Sequence, residues 1–376
     1  MQPMAIDNSK RELLKGALFA TMAPLYLSGC SISNNAQSQD NGESLLVGCA
    51  ALGNDEFIAT AVQIDGSPVW QCPLPHRGHG VAINTELNQV AIFGRRPGEF
   101  IKVVDGQSGQ QVAFIPQLVG RHFYGHGAYS NSGQFLYVTE GISETSEGVI
   151  GVYDAFNGYQ RVNEFSGIGI GPHEIIVRSD DTIVVAVGGI QTSGRTKLNL
   201  DTMQPKLVYI RPDGEIVSQL GLGSHQLSIR HIACDESGAV VCGQQYQGDE
   251  DDSQPLMAIS YQGQSLVPLE ATPEEWMRFN SYIGSVAMVG EHIVATSPRG
   301  NCYGVWDKTT RKLVKLGKLT DASGVVAMQP SNTIQFAMSS GIGEMKLIPS
   351  IRQDSISTLI SSTSIAWDNH LSYLQI

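Results

Sequence analysis

A histidine opening a short apolar run recurs along this chain. His79-Gly80 precedes Val81-Ala82-Ile83, His126-Gly127 precedes Ala128-Tyr129, His173-Glu174 precedes Ile175-Ile176-Val177, and His231 precedes Ile232-Ala233. His79, His126 and His173 are evenly spaced at 47 residues, and His231 follows after 58. A period in this range constrains the architecture before any chemistry, because each unit must stack on its neighbours to bury an apolar face.

The content of the unit selects the architecture. After His126 come a turn at Asn131-Ser132-Gly133, the run Phe135-Leu136-Tyr137-Val138, a loop with Gly141 and Gly148, the run Val149 to Asp154, and a turn at Asn157-Gly158. The unit after His79 repeats that grammar with Val90-Ala91-Ile92-Phe93 and Ile101-Lys102-Val103-Val104-Asp105. Short β-branched and aromatic runs punctuated by Gly, Asn, Asp and Ser are strands and tight turns. Four such strands in roughly 40–50 residues make one propeller blade.

Further units open at Ser285-Val286-Ala287-Met288 and Gly324-Val325-Val326-Ala327-Met328. The segment Leu45 to Leu74 holds three strands but no opening one, whereas the tail Ser364 to Leu371 reads as an opening strand without a blade. Joined, they close a ring and leave no open edge. Residues 45–376 are therefore expected to form one all-β, seven-bladed β-propeller of the WD-repeat/YVTN and quinoprotein amine dehydrogenase type. Thr272-Pro273-Glu274-Glu275 starts a helix between blades: a cap, a proline in the first turn, then acids at the positive end of the dipole.

Composition agrees. The 376 residues include 41 glycines, and 16% are charged against roughly 25% in average proteins. A net charge of −12 opposes nonspecific attraction to nucleic acid or anionic lipid. Residues 1–30 read as an export signal: a basic stretch around Lys10-Arg11 and Lys15, then an apolar run too short to span a bilayer. Ser9 to Lys15 resembles a twin-arginine signal with Lys in the first Arg place, and Leu27-Ser28-Gly29-Cys30 resembles a bacterial lipobox with Cys30 as lipid carrier. A simple secretory signal with a chance cysteine is the plainer alternative. Residues 31–44 read as a flexible tether, and Ser31 after the cysteine favours the outer membrane. The expected location is the periplasm, with lipid as the only membrane attachment. Cys49, Cys72, Cys234, Cys242 and Cys302 are odd in number and read as buried small hydrophobes rather than a disulfide framework. No C-x-x-C-H occurs, which excludes covalent c-type haem.

Placed on the ring, the polar residues gather. The first strand of each blade lines the channel, and the loop from second to third strand opens on the face where the first strand begins. Those loops hold Arg95-Arg96, Glu140-Gly141, Arg195-Thr196-Lys197-Leu198-Asn199, Gln244-Gln245 and Arg299. An acidic protein thus collects cations, amides and histidines on one rim, and loops carry function more often than framework does.

Arg95-Arg96-Pro97-Gly98, Arg121 to Gly127, Gly169-Ile170-Gly171-Pro172-His173-Glu174, Leu198 to Pro205, Leu227 to His231 and Ser297 to Asn301, in that order, resemble an uncharacterised bacterial family of exported propeller-like proteins of unknown function. The resemblance covers nearly the whole chain after the signal. It implies a genomic setting beside imelysin-type periplasmic proteins and dihaem oxidoreductases, in clusters associated with iron uptake, and makes those proteins the expected partners. It supplies no catalytic residues.

Two ligand chemistries suit the rim. His79, His126, His173, His231 and His370 are candidate metal ligands, imidazole being suited to iron, copper and zinc, with iron or copper expected. Zinc–nitrogen bonds of about 2.0–2.1 Å require donors within roughly 3–4 Å of one another, and the width of a seven-bladed channel works against that approach. Arg95, Arg96, Arg121, Arg195, Lys197, Arg230 and Arg299, with His122, Glu174, Asn199, Gln244 and Gln245, suit a small anion, since guanidinium forks match carboxylate and phosphate. Pairing with Glu140, Glu174 and blade-edge carbonyls is the competing account of those cations. Gly167-x-Gly169-x-Gly171 is followed by a strand and is no dinucleotide fingerprint; Asp249 to Asp252 fits no calcium loop. No G-x-S-x-G, H-E-x-x-H or P-loop occurs. Three functions remain: a noncatalytic binder of a metal, metal chelate or partner protein; a hydrolytic or redox propeller enzyme; and an interaction scaffold.

Overall fold

The tail strand Ala366–Gln375 lies antiparallel against Ser44–Ala51, with Ser44 opposite Gln375 and Gly48 opposite Leu371. Phe57–Gln63 and Pro68–Leu74 complete that sheet outward. The computed structural model describes residues 44–376 apart from 54, 195, 250, 329–334, 350–357 and 361–364, with the side chains of 349 and 358–360 also left aside. The expected signal, Cys30, most of the tether and Arg195 lie outside the described residues.

Six further four-stranded antiparallel sheets follow in chain order, each running from axis to rim. Their innermost strands are Gly78–Asn84, Arg121–Tyr129, Pro172–Val177, Leu227–Cys234, Ser285–Val289 and Ala322–Met328. The protein is a seven-bladed β-propeller, closed by its C-terminal strand as the sequence pattern requires. One short ribbon, Thr192–Ser193 with Thr196–Lys197, is added in the loop between the second and third strands of the fourth blade. The expected helix is a single turn and a half, Pro273–Met277, held by a capping box between Thr272 and Glu275. Cys49, Cys72, Cys234, Cys242 and Cys302 are all free thiols, four of them buried.

The core is not one mass but seven apolar layers among the described residues, one between each pair of adjacent blades. Because both faces of a blade meet a neighbour, its middle strands are apolar throughout rather than alternating: Ile183–Val187 is buried at all five positions. Hydroxyl groups tie the blades near the axis. The Thr139 hydroxyl donates to the carbonyls of His126 and His173, at 3.1 and 2.9 Å, spanning two consecutive inner strands. The Thr296 hydroxyl donates to the carbonyl of Ser323 at 2.6 Å.

Trp306 anchors the layer between the fifth and sixth blades. It is fully buried, stacks on Trp276 at 5.5 Å, and its indole nitrogen donates to the Glu270 carbonyl at 3.2 Å. Trp306→Ala is expected to cost about 3–5 kcal/mol of stability through the cavity it leaves. Denaturant unfolding checks this; a loss below about 1 kcal/mol would show that the layers do not carry the fold.

Candidate functional site at the propeller axis

Five of the seven inner strands deliver a histidine to the axis, four of them inside a break of register and the fifth, His231, directly after one. The shifts fall between Gly78 and Val81, Phe123 and Gly127, Pro172 and Ile175, and Ile229 and His231. In the tail strand the shift spans Trp367 to Leu371 and so includes His370. A bulge bends a strand and re-aims a side chain, which is how a seven-bladed channel brings its imidazoles together. The ring centroids of His79, His126 and His370 are 4.6–4.8 Å apart, His173 lies 4.6 Å from His126, and His231 lies 5.0 Å from both His173 and His370. The width that counted against convergence is overcome by local backbone geometry.

Glycines give the imidazoles room. A Cβ on Gly80 would meet the Gly125 carbonyl oxygen at 2.5 Å and the His126 ring at 3.1 Å. Gly125 has φ +97°, and a Cβ there would meet the His79 ring at 3.0 Å. Both positions need glycine for close approach, and Gly125 needs it for its left-handed backbone as well.

The cluster is desolvated and incompletely bonded. His79, His126, His231 and His370 are buried, and His173 is half-buried. His126 Nε2, His173 Nδ1, both nitrogens of His231 and His370 Nε2 are buried without a hydrogen-bond partner among the described residues. A buried polar atom left unpaired costs about 1–3 kcal/mol, so this centre is expensive unless something else fills it. Burial, then the charges of neighbouring histidines and Arg230, holds His126, His173 and His231 well below the ordinary imidazole range; His370 is held low by burial and then by His79.

Two carboxylates flank the rings. His79 Nδ1 is 2.8 Å from Asp368 Oδ1, and Arg77 Nε donates to Asp368 Oδ2 at 2.6 Å. Burial alone would raise the Asp368 carboxyl, but His79, Arg95 and Arg77 outweigh it and hold the group far below the carboxylate range. Glu174 accepts from the backbone N–H of Ile232 at 2.9 Å and sits 3.4 Å from His231 Nδ1 and 3.9 Å from His370 Nδ1. Burial raises its carboxyl. Two overlapping donor sets result: His79, His126 and His370, and Glu174, His231 and His370, each with its ligand atoms within 4.8 Å of one another.

The imidazoles separate two cavities. On one side is a channel of about 430 Å³ lined largely by inner-strand aliphatic residues, with His126, Glu174 and His370 at its end. On the other is a polar vestibule of about 380 Å³ with His79, His173 and His231 on its floor. Arg95, Arg96, Lys197, Gln245 and Arg299 line the vestibule as the loop mapping requires, and Arg230 joins them from the inner strand Leu227–Cys234. Arg230 is 8% exposed, and no carboxylate among the described residues pairs with it. Burial, then the charge of Arg96, lowers it to about 10.

Several expected rim residues lie elsewhere. Arg121 is held by Glu140 and Glu164 in a network with Arg161 and Tyr153, at 2.8–3.3 Å, within its own blade. That is the carboxylate pairing foreseen as the competing account. His122 is not a lining residue but packs behind one, on Tyr124, with ring centroids 4.8 Å apart. Asn199 is a brace within its loop, donating to the Gly189 carbonyl and accepting from the Gln191 N–H. Gln244 is buried against its own strand, donating to the Cys242 carbonyl at 3.0 Å. Glu174 faces the channel rather than the vestibule. Gln247 lines the vestibule too, from the loop that holds Gln245; Arg77, Tyr124, Tyr282 and Asn369 also line it and Asp368 orients His79, none of which the loop mapping included. A signal existed: Arg77 and Asp368 each stand two residues before an axial histidine.

Solved structures share the fold. Hydrazine synthase of Kuenenia stuttgartiensis superposes with a TM-score of 0.59 at 15% identity, over 80% of this chain and 94% of that one. A functionally unknown protein from Desulfotomaculum acetoxidans gives 0.59 at 11% identity, over 88% and 99%. At such identities the likeness extends to the architecture alone. No curated protein matches this chain. A family profile described as "Protein of unknown function (DUF1513)" matches residues 72–374, which takes in six complete blades and most of the closing strand with its Asp368 and His370, and the chain belongs to that family.

Proposed function

We propose that this protein binds a first-row transition metal at the axial histidine cluster, and that iron or copper is the physiological ion. The observation that carries this reading is the set of five unpaired buried ring nitrogens facing one another beside two carboxylates. Imidazole suits iron, copper and zinc; two histidines with one carboxylate, as in Glu174, His231 and His370, is the donor set of non-haem iron(II) sites. Asp368 fits the role of an outer carboxylate, since a ligating histidine bonds such a group through its second nitrogen. Ligand atoms up to 4.8 Å apart must draw together by about an ångström around a metal. The vestibule leaves room beside the metal for a second ligand, so an enzyme with the same centre is the alternative, and turnover is the measurement that would select it.

The same reading keeps the chain outside the cytoplasm, with Cys30 carrying lipid in the periplasm and imelysin-type or dihaem oxidoreductase proteins as partners in iron acquisition. It rests on the signal-like residues 1–30 and the family resemblance.

Elemental analysis of protein isolated from its exporting cell is expected to find about one iron or copper per chain, and His126→Ala with His173→Ala to lose it. Asp368→Asn should retain the fold but bind metal about 10–100-fold more weakly. Folded wild-type protein that takes up neither iron(II) nor copper(II) would remove the reading.

Stability of the metal-free protein should also depend on pH. His126, His173, His231 and His370 are neutral in the fold but titrate near 6.5 when unfolded. The unfolded chain therefore binds more protons below that pH, and stability present above about pH 6.5 is lost as pH falls. Melting temperatures are expected to be flat from pH 8 to 7 and to drop steeply from 6.5 to 5. A flat profile down to pH 5 would show that the imidazoles are not buried as neutral rings.

A further inference from the structure

The vestibule is cationic out of proportion to the molecule. Arg77, Arg95, Arg96, Lys197, Arg230 and Arg299 all line it, and among the described residues no lining residue carries a carboxylate, in a chain of net charge −12. Asp368, below the floor, accounts for Arg77 at 2.6 Å and Arg95 at 3.7 Å. Arg299 lies over the Tyr282 ring at 4.6 Å, a contact that fixes its direction without neutralising it. Lys197 is joined to the neutral Gln247.

Arg230 is the decisive group. It is more than nine-tenths buried, lines the cavity, and its Nε has no hydrogen-bond partner among the described residues. Gly188 leaves the space that its guanidinium occupies, since a Cβ there would meet Arg230 Cζ at 3.0 Å. A fold that desolvates a guanidinium without a counter-ion, and then surrounds it with further cations, is complementary to an anion it does not itself contain. The cavity, at about 380 Å³, is within the range of small-molecule sites.

We propose that the vestibule binds a small polyanion bearing two or more carboxylate or phosphate groups, with one of them on Arg230 and the others reaching the rim cations. That the anion would also meet a metal held by His79, His173 and His231 rests on the metal-binding reading; the anion site itself does not.

The test is calorimetric titration of the full chain, stripped of metal, with tricarballylate and separately with inorganic pyrophosphate. Submillimolar saturable binding of at least one is expected at low salt, weakening as salt rises. Whichever binds more tightly assigns the carboxylate or the phosphate source. Arg230→Gln should weaken binding by about 10–100-fold, the equivalent of one charge-assisted hydrogen bond. Arg299→Gln, at an exposed rim position, should weaken it by a smaller factor and decides the matter should the Arg230 variant fail to fold. No saturable binding of either anion, or affinity unchanged in the folded variants, overturns the proposal. Because the protein is metal-free throughout, a chain that never takes up iron or copper can still pass, and a metal-binding chain can still fail.

Discussion

The pairing of Ala366–Gln375 with Ser44–Ala51 is the interaction on which the rest depends. It joins the two ends of the described chain in one sheet and leaves no blade with an open inner edge. The same strand carries Trp367, Leu371 and Leu374 into the layers on either side of the first blade. It also carries Asp368 and His370 to the axis. Closure of the ring and completion of the polar centre are therefore one event. His370 belongs to both donor sets, so an open ring would lack either one.

Two opposed requirements meet in each inner strand. Beyond the histidine the strand must keep its ladder, since its apolar residues fill the layers between blades. At the axis it must leave the ladder to turn an imidazole inward. The bulge satisfies both by confining the irregularity to a few residues, after which pairing resumes, as from Val81 to Asn84 opposite Ile92 to Gln89. The two inner strands without histidine show what the alternative looks like. Ser285–Val289 pairs without a break and offers Ser285, whose hydroxyl accepts from the Val325 N–H. Ala322–Met328 breaks at Ser323-Gly324, and Gly324 donates to the Ser339 hydroxyl. There the small polar groups are bonded, Ser285 across to the next blade and Ser339 within its own; at the histidines several ring nitrogens are not.

Blade number, the order of the blades and the closing strand were legible because they depend on periodicity and turn chemistry, which are local. The five axial histidines were legible for the same reason: they recur at one place in the repeat. What the residue string did not reveal is how far a strand can bend, so the channel looked too wide for imidazoles that in fact lie 4.6–5.0 Å from their neighbours. Rim assignment by loop failed where a strand or hairpin claimed the side chain first. Arg121 begins an inner strand and finds Glu140 on the strand paired with it, while Gln244 sits where the second strand is already buried. Conversely Arg77 precedes the inner strand of its blade and Asp368 lies within the closing strand, neither of them in a loop between second and third strands.

The centre divides its donors so that no blade owns it. His79, His126, His173, His231 and His370 come from five sheets, and Glu174 shares a strand with His173 but contacts His231 and His370 from two others. An ion held by any of these sets would be bound by the closed ring and scarcely by the unfolded chain, where the ligands are tens to hundreds of residues apart. Its binding free energy would then add to the stability of the ring as a whole. The same logic applies to an anion on Arg230, whose neighbours Arg96 and Arg299 stand on other blades. The axis is a polar centre in an otherwise apolar wheel: among the described residues several of its buried nitrogens have no hydrogen-bond partners and the Arg230 guanidinium no counter-ion. The seven apolar layers are what allow the chain to hold that centre.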